Sequence, residues 1–242
     1  EFEGQDLQQL KKGTGSAEII TISFYVKGNG NATYMCELFD RDNTRLLHNQ
    51  FAVTSSWNRI ELSITADTTG AFDDDNAKSL TLSFWLHAGA TYTGGTYTAN
   101  TWASQTNANR AVGISSLYTS TDNYFRITGL QMEIGSTATE FEHRTYGEEL
   151  ALCQRYYQLW TGGWNGVSEG AGYIQSTALP WNTTMRVNPT IARTGGTDTT
   201  RYPATAWGSI YATTTGAVMF ITAVSSGGNE GWQATGTAVS EL

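Results

Sequence analysis

Cysteine is one of several residue types that are scarce in this chain of 242 residues. The two that are present, Cys36 and Cys153, lie far apart and share no motif. His48, His87 and His143 are equally scattered. A disulfide framework or a zinc site needs more cysteines or neighbouring histidines, so neither is expected. The sequence predicts two buried thiols and no bound cofactor.

Positive charge and long apolar runs are also lacking. The chain has 14 Lys and Arg against 22 Asp and Glu, which gives a net charge of −8. A nucleic-acid surface needs clustered Lys and Arg, so nucleic acid is not an expected partner. No apolar run reaches the roughly 18 to 20 residues of a membrane span, and membrane insertion is not expected. No phosphate loop, GxSxG or HExxH motif is present, so the chain is predicted not to be an enzyme.

The first half of the chain has the alternating pattern of half-buried strands. In "AEIITISFYVK", residues 17–27, Ile20, Ile22, Phe24 and Val26 share one face. Strands are predicted at 17–27, 33–40, 45–53, 57–64, 79–87 and 123–134. Because turns alone separate these strands, we predict an all-β fold: an antiparallel β-sandwich of jelly-roll type.

The first half of the chain also contains a break in one strand pattern, a long loop and an acidic turn. The alternation in "NYFRITGLQMEI" breaks at Thr128-Gly129, which predicts a β-bulge. Residues 88–116 are predicted to form a long, mostly exposed loop across one end of the sandwich. The acidic "DDDN" at 73–76 is interpreted as a solvated turn, with calcium binding as the alternative.

Residues 141–160, "FEHRTYGEELALCQRYYQLW", have a helical pattern instead. Thr145 and Glu148 fit a capping box, with Thr145 as the N-cap. Four residues at spacings of three, four and three would form one helical seam: Leu150, Cys153, Tyr157 and Trp160. We predict that this short linker helix reaches Trp160 and that the seam packs around a threefold axis. The alternative is that the seam packs on its own chain.

Residues 161–242 differ in composition and hold only seven formally charged residues. They are predicted to form a small C-terminal β domain, with strands at 171–179, 184–188, 207–212 and 216–224. The predicted domains are therefore a jelly roll at 1–142, a linker with the helix at 143–160 and a tip at 161–242.

Aromatic rings in this tip are the candidate ligand-binding residues. Flat rings stack on sugar faces, and Asn, Thr and Gln can bond hydroxyls. Rings beside Gly or Asn are expected to be exposed. The candidates for glycan or receptor binding are Trp164, Trp181, Trp232, Tyr173 and Trp207. The alternative is that such rings fill a small core or a subunit interface.

Residues 126–160 resemble a recurrent module of phage and prophage tail-fibre proteins. That module carries "QLEVG", a short "ATPFEHR" link and then "YGEELALCQRYY". Here "QMEIG" stands at 131–135, "FEHR" at 141–144 and a nearly complete match at 147–157, whereas Glu140 replaces the usual Pro. Residues 3–28 resemble the strand region upstream in the same module. The resemblance covers about residues 3–160 and does not extend into 161–242.

The resemblance implies a carbohydrate-binding-like jelly roll in a fibre, with its first strands upstream of Glu1, and it supplies no catalytic residues. The chain is accordingly predicted to be a homotrimeric phage virion fibre or receptor-binding protein in a tail or head fibre. Its expected partners are other virion fibre or tail proteins and a glycan or protein of the bacterial surface. Two alternatives stay open: a purely structural fibre component, and a non-catalytic sugar-binding module of a polysaccharide-degrading enzyme.

Overall fold

The computed structural model describes residues 1–168, 171–197, 202, 207–225 and 227–240. The chain divides into two compact units, residues 1–143 and residues 144–241. Both are built from antiparallel sheets, which confirms the predicted all-β class. Among the described residues, none of the helices has the length and apolarity that crossing a bilayer would require.

The first unit is a sandwich of two antiparallel sheets. Its strands are β1 (Phe2–Glu3), β2 (Ile20–Gly28), β3 (Ala32–Asp40), β4 (Arg45–Val53), β5 (Asn58–Ile64), β6 (Lys78–Trp85), β7 (Ala103–Ser104) and β8 (Phe125–Ile134). One sheet has the order β1-β6-β3-β4-β7 and the other β5-β2-β8. Its helices are α1 (Ala90–Thr93) and 3-10 helices at Gly4–Leu10, Asn107–Asn109 and Leu117–Thr119. All six predicted strands are present.

Alternating apolar side chains hold these two sheets together. Ile22, Phe24 and Val26 of β2 are fully buried, as their spacing predicts. The Phe24 ring meets Phe51 of β4 and Phe84 of β6 edge-on, at centroid distances of 5.2 and 5.1 Å. Burial of each such side chain contributes about 1.5–3 kcal/mol, so this aromatic contact between the sheets is a main source of the unit's stability.

The predicted β-bulge lies in β8 at Gly129. Gly129 has a φ of +59°, and the pairing of β2 with β8 shifts register between Ser23 and Tyr25. A side chain at Gly129 would also come within 3.2 Å of the Tyr25 ring. The backbone conformation therefore favours glycine at this position, and a larger residue would also have to displace the Tyr25 ring slightly.

We expect Gly129→Ala to lower the free energy of unfolding by about 1–2 kcal/mol, because a non-glycine residue is strained at positive φ. The matched control is Gly30→Ala, whose new methyl group meets open space. Urea unfolding of both variants measures the difference. Equal stability of the two variants would contradict the strained bulge.

Residues 88–116, here called the strap, are fastened over the outer face of the five-stranded sheet. Arg110 donates to both carboxylate oxygens of buried Glu37, at 3.0 and 2.6 Å, and these hydrogen bonds raise the pKa of Arg110. The Gln50 side chain donates to the carbonyl of Val112, and its backbone N–H donates to the hydroxyl of Tyr97. The strap has little regular structure, as predicted, but these anchors correct the expectation that it only crosses one end.

A buried cation fixes the N-terminal segment to the same unit. Lys12 Nζ lies 2.5 Å from Asp40 Oδ2 and 3.1 Å from Asp67 Oδ2. It also donates to the carbonyls of Thr69 and Gly70, at 2.9 and 2.8 Å. Arg45 shares the Asp67 carboxylate at 2.9 Å. Two carboxylates are thus neutralised by two basic groups inside the fold.

The second unit is a smaller sandwich. It contains α2 (Tyr146–Gln154), β9 (Tyr157–Ser168), β10 (Ile174–Pro180), β11 (Thr190–Thr197), β12 (Trp207–Thr213), β13 (Gly216–Thr222) and β14 (Gly227–Val239). Within the described residues the sheets have the orders β10-β13-β12 and β11-β14-β9. They pack closely, since a side chain at Gly162 would collide with Leu179 and Met219. Trp160, Tyr202 and Trp232 fill the core between them.

The linker helix is shorter than predicted. α2 ends at Gln154 and β9 begins at Tyr157, so Tyr157 and Trp160 lie on a strand and share no helical seam with Leu150 and Cys153. Backbone contacts stop the helix, because the carbonyl of Arg155 accepts from the N–H of Arg186 and from the hydroxyl of Ser240. From Tyr157 onward the period is two, and β9 pairs with β14 along its length.

Candidate assembly and ligand-binding surfaces

In the segment that resembles tail-fibre proteins, the link after β8, residues 136–144, is hydrogen-bonded to β8. Glu133 accepts hydrogen bonds from the N–H and hydroxyl of Thr139, at 2.9 and 2.7 Å. Gln131 accepts from the N–H of Glu142 at 2.8 Å. The hydrogen bonds from Thr139 lower the pKa of Glu133. The "QMEIG" residues thus hold the link against the outer face of β8.

The capped helix α2 follows the link. Thr145 accepts from the N–H of Glu148, and the Glu148 carboxylate accepts from the N–H of Thr145 at 3.0 Å, which confirms the capping box. The hydrogen bonds that the Glu148 carboxylate accepts from the N–H and the hydroxyl of Thr145 lower the pKa of Glu148. None of the residues of α2 is buried, and Leu150 lies on its exposed surface. The capping box fixes the residue at which the helix starts. The apolar side chains of the helix are not buried by the rest of the chain.

The two cysteines differ in environment. Cys36 is buried between the sheets of the first unit, and burial raises the pKa of its thiol to about 12. Cys153 is exposed on α2. The expectation of two buried thiols is therefore correct for Cys36 and wrong for Cys153, because α2 packs no face against a core.

The four predicted oligomerisation residues fall into two groups. Leu150, Cys153 and Tyr157 are exposed, so they are accessible to another chain. Trp160 is in the core of the second unit, where its Nε1 donates to the carbonyl of Thr237 at 3.1 Å. The Trp160 ring lies so close to Gly236 that a side chain there would meet it at 2.4 Å. Trp160 is thus a core residue, and the prediction that it contacts another chain is wrong.

One exposed apolar area on the second unit was not predicted. It is the outer face of the sheet β10-β13-β12, here called the apolar face. Its outward-facing residues include Ile174, Ser176, Ala178, Tyr211, Val218 and Phe220. Ile174 is 63% exposed and Tyr211 67% exposed. The Tyr211 and Phe220 rings meet edge-on at 5.7 Å, and none of these side chains carries a charge.

A sequence signal for this face does exist. Residues 216–222 read "GAVMFIT", a nearly continuous apolar run. Ala217, Met219 and Ile221 point to the core, and the residues between them point outward. A strand that is apolar on both faces is typical of a strand covered on both faces.

The five predicted ligand-binding rings have different environments. Trp232 is 4% exposed within the core, so its predicted exposure is wrong. It lies on β14 opposite Trp164, on the inward-facing side of the pair. Trp164 and Trp181 are half-buried against the same core, and the Trp181 Nε1 donates to the carbonyl of Thr213. Tyr173 is 47% exposed. The side chain of Trp207 lies outside the described residues.

The acidic turn at 73–76 forms protein contacts. Asp75 accepts from the N–H of Ala77 at 2.9 Å, and the N–H of Asp73 donates to Asp42 at 3.0 Å. In the part of the chain that the structure describes, no three His, Cys, Asp or Glu side chains converge as metal ligands would.

Comparison with known proteins gives little beyond these observations. No protein-family model and no curated protein matches the chain. Among solved structures, wild-type discoidin II from Dictyostelium discoideum aligns over 93% of this chain and 72% of its own, with 9% identity and a TM-score of 0.28. The native recombinant discoidin II aligns over 92% and 72%, with 9% identity and a TM-score of 0.27. Scores this low carry no argument about ligand or partner.

Proposed function

We propose that this chain is a homotrimeric phage virion fibre protein whose second unit contacts a glycan or protein on the bacterial surface. The observation that carries the proposal is the uncharged apolar face of the second unit. The tail-fibre resemblance of residues 126–160 supports the same assignment. Under this proposal the protein belongs to a tail or head fibre, with other virion fibre or tail proteins as neighbours.

The chemistry of the apolar face supports self-association. Exposed apolar patches of this kind mark interaction sites, and interface cores are poor in charge and rich in aromatic residues. A second copy of the chain presents the same uncharged rings. Three copies whose apolar faces turn toward a common threefold axis would meet in this way and form a closed assembly. The exposed Leu150 and Cys153 on α2 and Tyr157 on β9 lie outside this face, so their contact with another chain stays a separate prediction.

The proposed ligand contact lies on the residual exposed rings of the second unit. Tyr173 is half-exposed, and its backbone is fixed because its carbonyl accepts from the N–H of Ala223 at 2.8 Å. The N–H of Gly172 donates to the carbonyl of Ala223 at 2.7 Å. A ring held in this way can stack on a neutral sugar. Three copies per fibre would let weak single sites hold a particle.

Binding to immobilised bacterial surface polysaccharides, such as lipopolysaccharide O-antigens and capsules, tests the ligand part of the proposal. We expect Tyr173→Ala to weaken binding about ten-fold while leaving the mass of the assembly unchanged. Ser176→Ala, on the apolar face, is the matched control and should bind as the unchanged chain does. Full binding by Tyr173→Ala would remove this ring from the ligand site.

A further inference from the structure

The loops at one end of the first unit surround an aromatic ring that the fold leaves in water. Tyr118 is 76% exposed, in the 3-10 helix Leu117–Thr119. The residue before it, Leu117, packs against the core of the sandwich. The rings of Tyr34, Phe84 and Phe125 are in that core as well. The fold thus buries the nearby rings and turns Tyr118 outward.

The Tyr118 ring contacts a neighbouring ring, and the Tyr118 backbone is hydrogen-bonded. It meets the ring of His87 at a centroid distance of 5.2 Å and an angle of 63°. His87 Nδ1 lies 2.8 Å from the Ser116 hydroxyl, and the same hydroxyl accepts from the N–H of Tyr118 at 3.2 Å. A single hydroxyl therefore holds both the backbone of Tyr118 and the His87 side chain that lies against the Tyr118 ring.

The loop that carries the ring is fastened from a second side. The Asn123 side chain donates to the carbonyl of Leu117 and to the hydroxyl of Thr119, both at 2.9 Å. Asn29, from the β2–β3 turn, donates to the Asn123 side-chain oxygen at 3.0 Å. Asn29 also accepts from the N–H of Tyr124. These neutral side chains order a loop whose outward ring adds no core burial.

We propose that Tyr118 and His87 form a binding site for a neutral saccharide at this end of the first unit. The electron-rich ring face suits the C–H face of a pyranose. His87 is exposed, and its second ring nitrogen has no partner among the described residues, so it can bond a sugar hydroxyl. Thr119, the next residue along the chain after Tyr118, and Asn29, which bonds the same loop through Asn123, add neutral hydrogen-bonding groups to this end of the unit.

The neutral class of ligand follows from charge. A stacked nucleobase would also suit an exposed ring, but its phosphates need basic side chains, and the chain has a net charge of −8. The exposed Asp122 and Arg126 beside the loop are one group of each sign. The site lies wholly in the first unit, so it does not depend on the proposed role of the second.

Titration of the full chain with four glycosides, followed by saturation-transfer NMR, tests the site. The probes are the methyl glycosides of galactose, glucose, mannose and N-acetylglucosamine. We expect at least one to bind, Tyr118→Ala to weaken it about ten-fold, and Tyr118→Phe to stay within about three-fold. Tyr146→Ala is the control, because that ring is 82% exposed on α2 and has no such fastening.

The outcomes separate this site from the one proposed on the second unit. No binding of any probe, or equal binding by Tyr118→Ala and the unchanged chain, would overturn the proposal. Binding that is lost in Tyr173→Ala and kept in Tyr118→Ala would also overturn it and would place the sugar on the second unit. Loss in His87→Ala together with Tyr118→Ala, with unfolding midpoints unchanged, supports it.

Discussion

Replacing Lys12 by methionine is expected to lower the free energy of unfolding of the first unit by about 3–5 kcal/mol, because it leaves buried carboxylates without their partner. The side chains of Asp40 and Asp67 are 0% and 4% exposed, and Lys12 Nζ contacts both. Arg45 can still neutralise Asp67, but the described contacts of the Asp40 carboxylate are with Lys12 and Asn43. The uncompensated charge is therefore mainly that of Asp40.

The neighbouring residue is the matched control. Lys11 pairs with Glu18 at 2.7 Å on the surface, with both side chains well exposed. Exposed pairs of this kind contribute about 0–1 kcal/mol, so Lys11→Met should have little effect. Urea unfolding of the two variants measures both values. A Lys12→Met variant as stable as Lys11→Met would contradict the buried network.

The same network makes stability depend on pH. Burial raises the pKa of Asp67, but the hydrogen bonds from Arg45 and Lys12 outweigh burial, and the pKa lies below its ordinary value. A carboxylate with a lowered folded pKa stabilises the fold above its unfolded pKa of about 3.9. That stabilisation is lost as the pH falls through the folded pKa. Melting temperatures between pH 6 and pH 2 should fall more steeply for the unchanged chain than for Asp67→Asn.

Val218→Asp is expected to convert the proposed trimer to monomers. Val218 lies at the centre of the apolar face, paired with Ala178 on one side and Tyr211 on the other. A carboxylate buried there in an interface without a partner costs several kcal/mol, which exceeds what one side chain contributes to a standard contact. The result would appear as a change in mass on a sizing column with light scattering.

The control for this variant is Ala192→Asp. Ala192 is exposed on β11, in the other sheet of the same unit, so the charge change is identical and the apolar face is untouched. We expect Ala192→Asp to keep the mass of the unchanged chain. A Val218→Asp protein that keeps its mass would remove the apolar face from the interface.

The strands of the first unit could be predicted because their inward residues are large and regularly spaced. The spacing of two between Ile22, Phe24 and Val26 predicts a strand and also shows which of its faces is buried. The alternation of β8 breaks at Gly129, and this break could be identified as a bulge. The capping box was equally local, since Thr145 and Glu148 are three residues apart. Strand alternation, the bulge and the capping box could be predicted because each is defined by residues that are close together in the sequence.

The second unit was harder to predict because its pattern uses small residues. β14 turns Ala234, Gly236 and Ala238 inward, since the Trp160 ring fills the space opposite Gly236. Neither β14 nor β11 was predicted, and the strand predicted at 184–188 is absent from that range, which is irregular in the structure. Trp160 was placed on a helix because it follows Leu150, Cys153 and Tyr157 at spacings of three and four. Over so few residues, these spacings do not distinguish a helix from a helix that is followed by a strand.

The candidate surfaces depend on contacts between distant segments, which the sequence does not show. The exposure of Tyr118 depends on His87, Asn29 and Asn123, which lie on separate loops. The burial of Trp232 depends on its pairing with β9. Trp232 was predicted to be exposed because a glycine, Gly231, precedes it. In the structure the small residues of β14 are there because the strand is tightly packed.

The most direct test of the trimeric-fibre proposal is the absolute mass in solution of residues 1–242, compared with a chain that ends after Arg144. We expect about three times 26.4 kDa for the full chain and a monomer for the shorter one, because the proposed assembly surfaces lie in the second unit. A monomer in both cases would contradict the trimeric-fibre proposal and favour a sugar-binding module.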